Sequence, residues 1–204
     1  MMKLKKISII IPTRNEKDNV GKLSEMIYDV LKGIPYNIVF VDDSTDDTWE
    51  CIEELRQEHP EYNIGGEHRN NGDGLAGAVI RGFSIADGDY YAVMDADLQH
   101  PPECLPEIVG KFDEGYEVIS MVRTRNKTAG LVKNVTSAAF YKLINHLSDV
   151  KFEANASDFF AVSKNAAEVL RNNYREKVRF LRVRDKLQLI AQPFDGRAHE
   201  TCAD

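Results

Sequence analysis

The chain has 204 residues, 43% of them hydrophobic and 29% charged, with a formal net charge of −7. Such a length and composition suit a single globular domain with a sizeable core. The acidic balance speaks against general nucleic-acid binding, which needs excess Lys and Arg against phosphate.

Residues 7–11 form a β-branched run stopped by Pro12. The run is too short for a signal-peptide core and predicts a strand buried on both faces. Val20, Leu23, Ile27, Val30 and Leu31 recur at helical spacing, predicting a helix over 19–32. Residues 38–41 predict a second buried strand ending in Asp42-Asp43-Ser44. Asp46 or Asp47 then caps a helix with Trp49, Ile52 and Leu55 on one side. Residues 65–74 read as a polar, glycine-rich connection into a third helix carrying Leu75, Val79 and Phe83, closed by Asp87-Gly88-Asp89. Residues 90–94 predict a strand, and a helix after Pro101-Pro102 turns Leu105, Ile108, Val109 and Phe112 inward. Residues 118–122 predict a further strand, 131–147 a long amphipathic helix, and 159–162 a short strand before one more helix. The alternation argues an α/β fold with a mainly parallel central sheet covered by helices on both faces.

No apolar run approaches the roughly 18 residues needed to cross a bilayer, so the chain is expected not to span a membrane. Cys51, Cys104 and Cys202 show neither a disulfide framework nor a zinc spacing, and a cytoplasmic setting is expected. Arg171, Arg175, Lys177, Arg179, Arg182, Arg184 and Lys186 crowd one stretch, as either a solvated helix face or an anion- or membrane-surface patch.

In open α/β sheets, ligands bind beyond the carboxyl ends of the strands. There the first strand delivers Pro12, Arg14 and Glu16, the second Asp42 and Asp43, and the 90–94 strand Asp95, Asp97 and Gln99. Five carboxylates on one rim repel each other unless a cation or hydrogen-bond donors lie between them. With Asp95 and Asp97 alternating along an extended segment, two carboxylates and an amide oxygen suit Mg²⁺ or Mn²⁺, with waters and a diphosphate completing the shell. Taken alone, Asp-x-Asp reads equally well as a turn after a strand.

The run Asp95-Ala96-Asp97-Leu98-Gln99-His100-Pro101-Pro102-Glu103 resembles the signature of family 2 glycosyltransferases with the GT-A fold. The likeness is to the polyprenyl-phosphate branch, which includes dolichol-phosphate mannose synthases and bactoprenol glucosyltransferases. Residues 9–16 are similar to that family's opening strand and donor-binding turn, 41–48 to its acidic nucleoside-binding turn, and 71–89 to its glycine-punctuated helix. Ser157-Asp158-Phe159-Phe160 resembles the acceptor-side segment, although the family carries an arginine where this chain has phenylalanines. Residues 179–182 resemble the basic segment that follows. Residues 1–182 are thus expected to form a GT-A catalytic domain. Residues 183–204 are expected to be a divergent tail, from a truncated or naturally short form.

The resemblance implies transfer of a sugar, with inversion, from a UDP- or GDP-sugar to an acceptor, a polyprenyl phosphate, at the cytoplasmic face of a membrane. It places Pro12, Arg14 and Glu16 in the nucleotide pocket, and Asp42 against the base with Asp43 beside it. Asp95 approaches ribose and metal, while Asp97 and Gln99 ligate the metal against the diphosphate. Arg123, Arg125 and Arg179 stand where phosphate-binding arginines fall, or are surface charges. Asp158 is the candidate general base for a hydroxyl acceptor, or a turn aspartate.

Three other readings compete. A catalytically impaired relative would bind nucleotide sugar without turnover. Gly72-Asp73-Gly74-Leu75-Ala76-Gly77 formally fits an NAD(P) fingerprint, but residues 67–71 before it do not read as an apolar strand. Aspartate-nucleophile phosphatases also use Asp-x-Asp, but after their first strand. His100 reads as a surface or packing histidine. Tyr90, Tyr91, Phe140, Tyr141, Phe159 and Phe160 read as core.

Overall fold

A computed structural model of the chain describes residues 5–70, 72, 74–122 and 156–173. Six strands form one sheet in the order β3-β2-β1-β4-β6-β5. They are β1 (Ile7–Thr13), β2 (Tyr36–Asp42), β3 (Ile64–His68), β4 (Tyr90–Val93), β5 (Val118–Val122) and β6 (Ala156–Ser163). β1 to β4 are mutually parallel, while β6 runs antiparallel between β4 and β5. The mainly parallel expectation therefore holds, with one reversed strand inside the sheet.

β1 lies between β2 and β4, which explains its isoleucines: Ile7, Ile9, Ile10 and Ile11 are all fully buried. Alternation along the strand sends them to two cores. On one face Ile7, Ile9 and Ile11 meet Val20, Leu23 and Ile27 of α1 (Lys17–Val30), Ile52 of α2 (Thr48–Glu58) and Leu105, Ile108 and Phe112 of α4 (Leu105–Asp113). On the other, Ile10 meets Val79 and Phe83 of α3 (Leu75–Ile85) and Ala166, Ala167 and Leu170 of α5 (Lys164–Asn173). Each buried Val, Leu, Ile or Phe among them contributes roughly 1.5–3 kcal/mol. Tyr90, Tyr91, Phe159 and Phe160 are core residues, as their sequence setting suggests.

The sequence reading needs three corrections. Residues 65–74 are not simply a connection, because β3 occupies the first part and pairs Gly65 with Val39 and Gly66 with Phe40. Gly66 has φ +143°, and a side chain there would lie 2.1 Å from the Phe40 carbonyl oxygen. The same residues that admit the close approach remove the β-branched signal of a strand. Second, β4 ends at Val93 and the chain bends at 96–98, with Leu98 at φ +61°, so Asp95 and Asp97 do not share an extended segment. Third, β6 is longer than expected, beginning at Ala156.

The expected helix over 131–147, the tail at 183–204, and Arg123, Arg125 and Arg179 lie outside the described residues. Among the described residues, no helix is long and apolar enough to cross a membrane.

Candidate functional site

The register that builds the sheet also builds a site. Thr13, Asp42 and His68, the last residues of β1, β2 and β3, are in register with one another. Asp42 is fully buried, yet its carboxylate is well supplied with donors. Oδ1 accepts the hydroxyls of Thr13 (2.7 Å) and Ser44, and Oδ2 lies 2.6 Å from His68 Nδ1. A buried carboxylate without such partners would cost several kcal/mol. Here the three strand ends are tied to one anion.

Asp43, the next residue, emerges on the open side. Its amide donates to the Thr13 carbonyl at 2.9 Å, and its side chain lines a cavity of about 580 Å³ with Arg14, Trp49, His68, Arg69 and Gly72. Arg69 grips the Asp43 carboxylate with Nε to Oδ1 at 2.8 Å and Nη2 to Oδ2 at 2.6 Å. Both side chains are about 15% exposed, so the fork is only weakly screened. Of the residues expected to contact a nucleotide, Arg14 and Asp43 line this cavity. Pro12, Glu16, Asp95 and the buried Asp42 do not.

The cavity wall is pinned by Asn15, which adopts φ +61°, a conformation asparagine tolerates better than most residues. Its amide donates to Ser44 Oγ at 2.8 Å, and its Oδ1 accepts the Thr45 amide at 2.9 Å, locking the β1 and β2 turns together. Glu16 is used locally, accepting from Asn19 Nδ2 at 2.7 Å. At the start of α2 the capping bond comes from Asp46, which accepts the Thr48 amide at 3.2 Å, and not from Asp47. The Thr48 hydroxyl beside it holds the Asp46 carboxyl below the usual carboxylate range.

One strand along, Met94 N donates to Ile10 O at 3.2 Å, which brings the end of β4 to the same edge. Asp95 is one-third exposed, and its amide donates to Nδ1 of His100 at 2.9 Å. His100 is 2% exposed and stacks on Phe159 with centroids 5.3 Å apart, which makes it a packing histidine. Asp97 and Gln99 are exposed, and Asp97 Oδ1 accepts the Gln99 amide at 3.0 Å. That bond belongs to the turn reading of Asp-x-Asp. Among the described residues, no three Asp, Glu, His or Cys side chains converge on a metal position. Two carboxylates and an amide supply only hard oxygens, so the set fits Mg²⁺ or Mn²⁺ once a ligand adds its own oxygens. Asp158 lies on β6, two residues before Phe160, the partner of Val93.

His68, Arg69, Trp49 and His100 were not singled out as site residues by sequence. The signal that would have found the first two was a strand ending at His68, which the glycines concealed.

Comparison with known proteins places the chain in a family and a fold. Residues 8–171 match the family model described as Glycosyl transferase family 2. A dolichol-phosphate mannosyltransferase from Pyrococcus furiosus is 44% identical over 130 residues, 63% of this chain and 36% of that protein. A prophage bactoprenol glucosyl transferase homolog from Escherichia coli is 31% identical over 80% of this chain and 54% of its own length. The chain thus spans about half or less of these curated relatives. Among solved structures, a mannosyltransferase from Pyrobaculum calidifontis in complex with GDP-Man and Mn²⁺ superimposes with TM-score 0.65 at 17% identity, covering 95% of this chain and 55% of that one. The fold is GT-A, and the chain belongs to glycosyl transferase family 2.

Proposed function

We propose that this chain binds a UDP- or GDP-sugar across the carboxyl edge of β1 to β4 and transfers the sugar, with inversion, to a polyprenyl phosphate. The observation that carries the reading is the buried Asp42 tie. It fixes Asp43 and Arg69 in a cavity of nucleoside size, with β1 between their strands and the strand that leads to Asp95 and Asp97. Relatives named for dolichol-phosphate and undecaprenyl-phosphate transfer support the acceptor class.

The base and ribose would occupy the cavity beside Asp43, with Arg14 at its open side. The diphosphate would extend along the rim towards Asp95, Asp97 and Gln99, which would hold Mg²⁺ or Mn²⁺. A bound divalent ion would stabilise negative charge on the departing nucleoside diphosphate. His100 would orient Asp95 through its backbone amide. A lipid phosphate is already ionised near neutral pH and attacks the anomeric carbon without a general base. A hydroxyl acceptor would need one, and Asp158 is proposed for that case. Arg123, Arg125 and Arg179 are proposed to contact phosphate groups, and contact with a membrane surface would follow from a lipid acceptor.

The test combines a thermal-shift screen of UDP- and GDP-sugars with Mn²⁺ and an assay of nucleoside diphosphate release on adding polyprenyl phosphate. A donor at 100 times its Kd stabilises the fold by roughly 2.7 kcal/mol. Stabilisation with release supports the proposal, stabilisation without release supports a binding-only relative, and no stabilisation by any donor refutes both.

A further inference from the structure

Trp49 and His68 both line the cavity, with ring centroids 6.1 Å apart and planes inclined at 33°. They are not equivalent. Trp49 offers a ring face, whereas His68 is chemically directed. Its Nδ1 lies 2.6 Å from Oδ2 of Asp42, a carboxylate with no exposure whose other oxygen already accepts two hydroxyls. An ionised carboxylate only accepts, so Nδ1 carries the hydrogen of this bond. The tautomer is thereby set, and in the neutral ring Nε2 holds a lone pair on the edge away from Asp42. The His68 side chain is 30% exposed, enough to present that edge to a ligand.

We propose that His68 is a base-selecting residue of the cavity, its Nε2 accepting the ring N–H of a lactam nucleobase, uracil or guanine. The inference rests on the donor reading above and adds a residue and a selection rule to it. Uracil N3 and guanine N1 carry a hydrogen on the Watson–Crick edge. Cytosine N3 and adenine N1 carry a lone pair there, which would face the lone pair of Nε2. A site whose directed acceptor is covered by the bound base rejects an analogue lacking that hydrogen more sharply than shape alone can. Asp43 adds a second acceptor in the same cavity, but Arg69 already engages both its oxygens. His68 is held by an anion the ligand does not reach, so its direction is set before binding.

Calorimetric titration of the full chain with UDP, GDP, CDP and ADP in Mg²⁺ buffer tests this. The wild type is expected to bind UDP or GDP at least about tenfold tighter than CDP and ADP, a difference of one to two hydrogen bonds. His68→Asn keeps an N–H for Asp42 but has nothing at the Nε2 position. It is expected to weaken the preferred nucleotide about tenfold while leaving CDP and ADP within twofold. A second measurement uses the wild type alone: the ¹⁵N resonance of His68 Nε2 is expected to shift on saturation with UDP or GDP. Equal wild-type affinities for all four nucleotides overturn the inference. So does a preference retained in His68→Asn, or an unmoved Nε2 resonance. These three results leave the donor cavity standing. If the wild type binds none of the four, the donor reading itself fails and takes the inference with it.

Discussion

Gly72 is the position where a single methyl group tests the cavity most directly. A Cβ added there would lie 2.3 Å from Cγ, Oδ1 and Oδ2 of Asp43. Ordinary carbon contacts begin near 3.5 Å, so the carboxylate must retreat by about 1 Å. Its bonds to Arg69, now 2.6 and 2.8 Å, would lengthen beyond hydrogen-bonding range. Charge-assisted bonds contribute about 1.5–3 kcal/mol each, and a loop can yield to recover part of the loss. The expected net cost of Gly72→Ala is about 1–3 kcal/mol, a fall of roughly 2–4 °C in Tm for each kcal/mol in a chain of this size. Nucleotide affinity should weaken at least about tenfold, because Asp43 and Arg69 shape the cavity. The discriminating assay is a double-mutant cycle read by calorimetry. With the carboxylate removed in Asp43→Ala, the extra methyl has nothing to strike, and Gly72→Ala should cost less than about 0.5 kcal/mol. Wild-type affinity in Gly72→Ala, or an equal penalty in both backgrounds, would refute the reasoning.

Asp97→Ala is expected to abolish Mn²⁺-dependent stabilisation by the donor while the ligand-free Tm stays within about 2 °C, since the side chain is exposed. Unchanged Mn²⁺ dependence in a thermal-shift titration removes Asp97 from the metal site. Replacing His100 by Leu removes the acceptor of the Asp95 amide and should cost about 1–3 kcal/mol in urea unfolding. His100→Asn, which retains a nearby acceptor, should lose less; equal losses would deny the bond its role. Burial pushes the Tyr36 hydroxyl up to about 12 from its ordinary value of 10.0. A raised folded-state value means that its contribution is intact below pH 10 and disappears as pH climbs through 12. The wild type should therefore lose about 1 kcal/mol more than Tyr36→Phe between pH 9.5 and 11.5, the full shift being reduced because solvent reaches the half-buried ring. Parallel unfolding curves for the two proteins across that range would contradict the assignment.

How far the site could be read in advance depended on which physical signal each part carries. β1 is legible because four isoleucines fill two cores at once. β3 is hidden because an edge strand with Ile64 as its one aliphatic residue, and two glycines fitted against Phe40, has lost hydrophobic pattern and β propensity together. The Asp42-Asp43 pair announces an acidic turn, but the labour divides through strand alternation. The first side chain points inward to Thr13, Ser44 and His68, and the second outward to Arg69. Neither partner of β3 could be matched to them without the register. Asp95 to Gln99 was recognisable as a motif but not as a shape, since a leucine at φ +61° is a conformation its sequence does not signal. The revealed β3 also alters the ground on which a dinucleotide fingerprint is set aside. The glycines at 72 and 74 do follow a strand, but one at the sheet edge, and Gly72 is packed against Asp43.

The division of charge along the rim gives the site its direction. Five carboxylates there would be mutually repulsive, yet the three at the carboxyl ends of β1 and β2 are matched within the protein. Glu16 takes Asn19, Asp42 takes two hydroxyls and a histidine, and Asp43 takes an arginine fork. At β4 the balance differs. Asp97 is exposed, and the bond it makes comes from a backbone amide of its own turn, which adds no positive charge. A dianionic diphosphate approaching a chain of net charge −7 would meet its strongest local repulsion at that end. An added divalent cation would turn the same carboxylates from a barrier into an anchor. Under the proposed function the nucleoside end would be organised by the fold alone, whereas the diphosphate end would draw on a bound ion to offset its carboxylates. The proposed donor placement would follow that asymmetry, with the base over β2 and β3 and the transferred group beside β4 and β6.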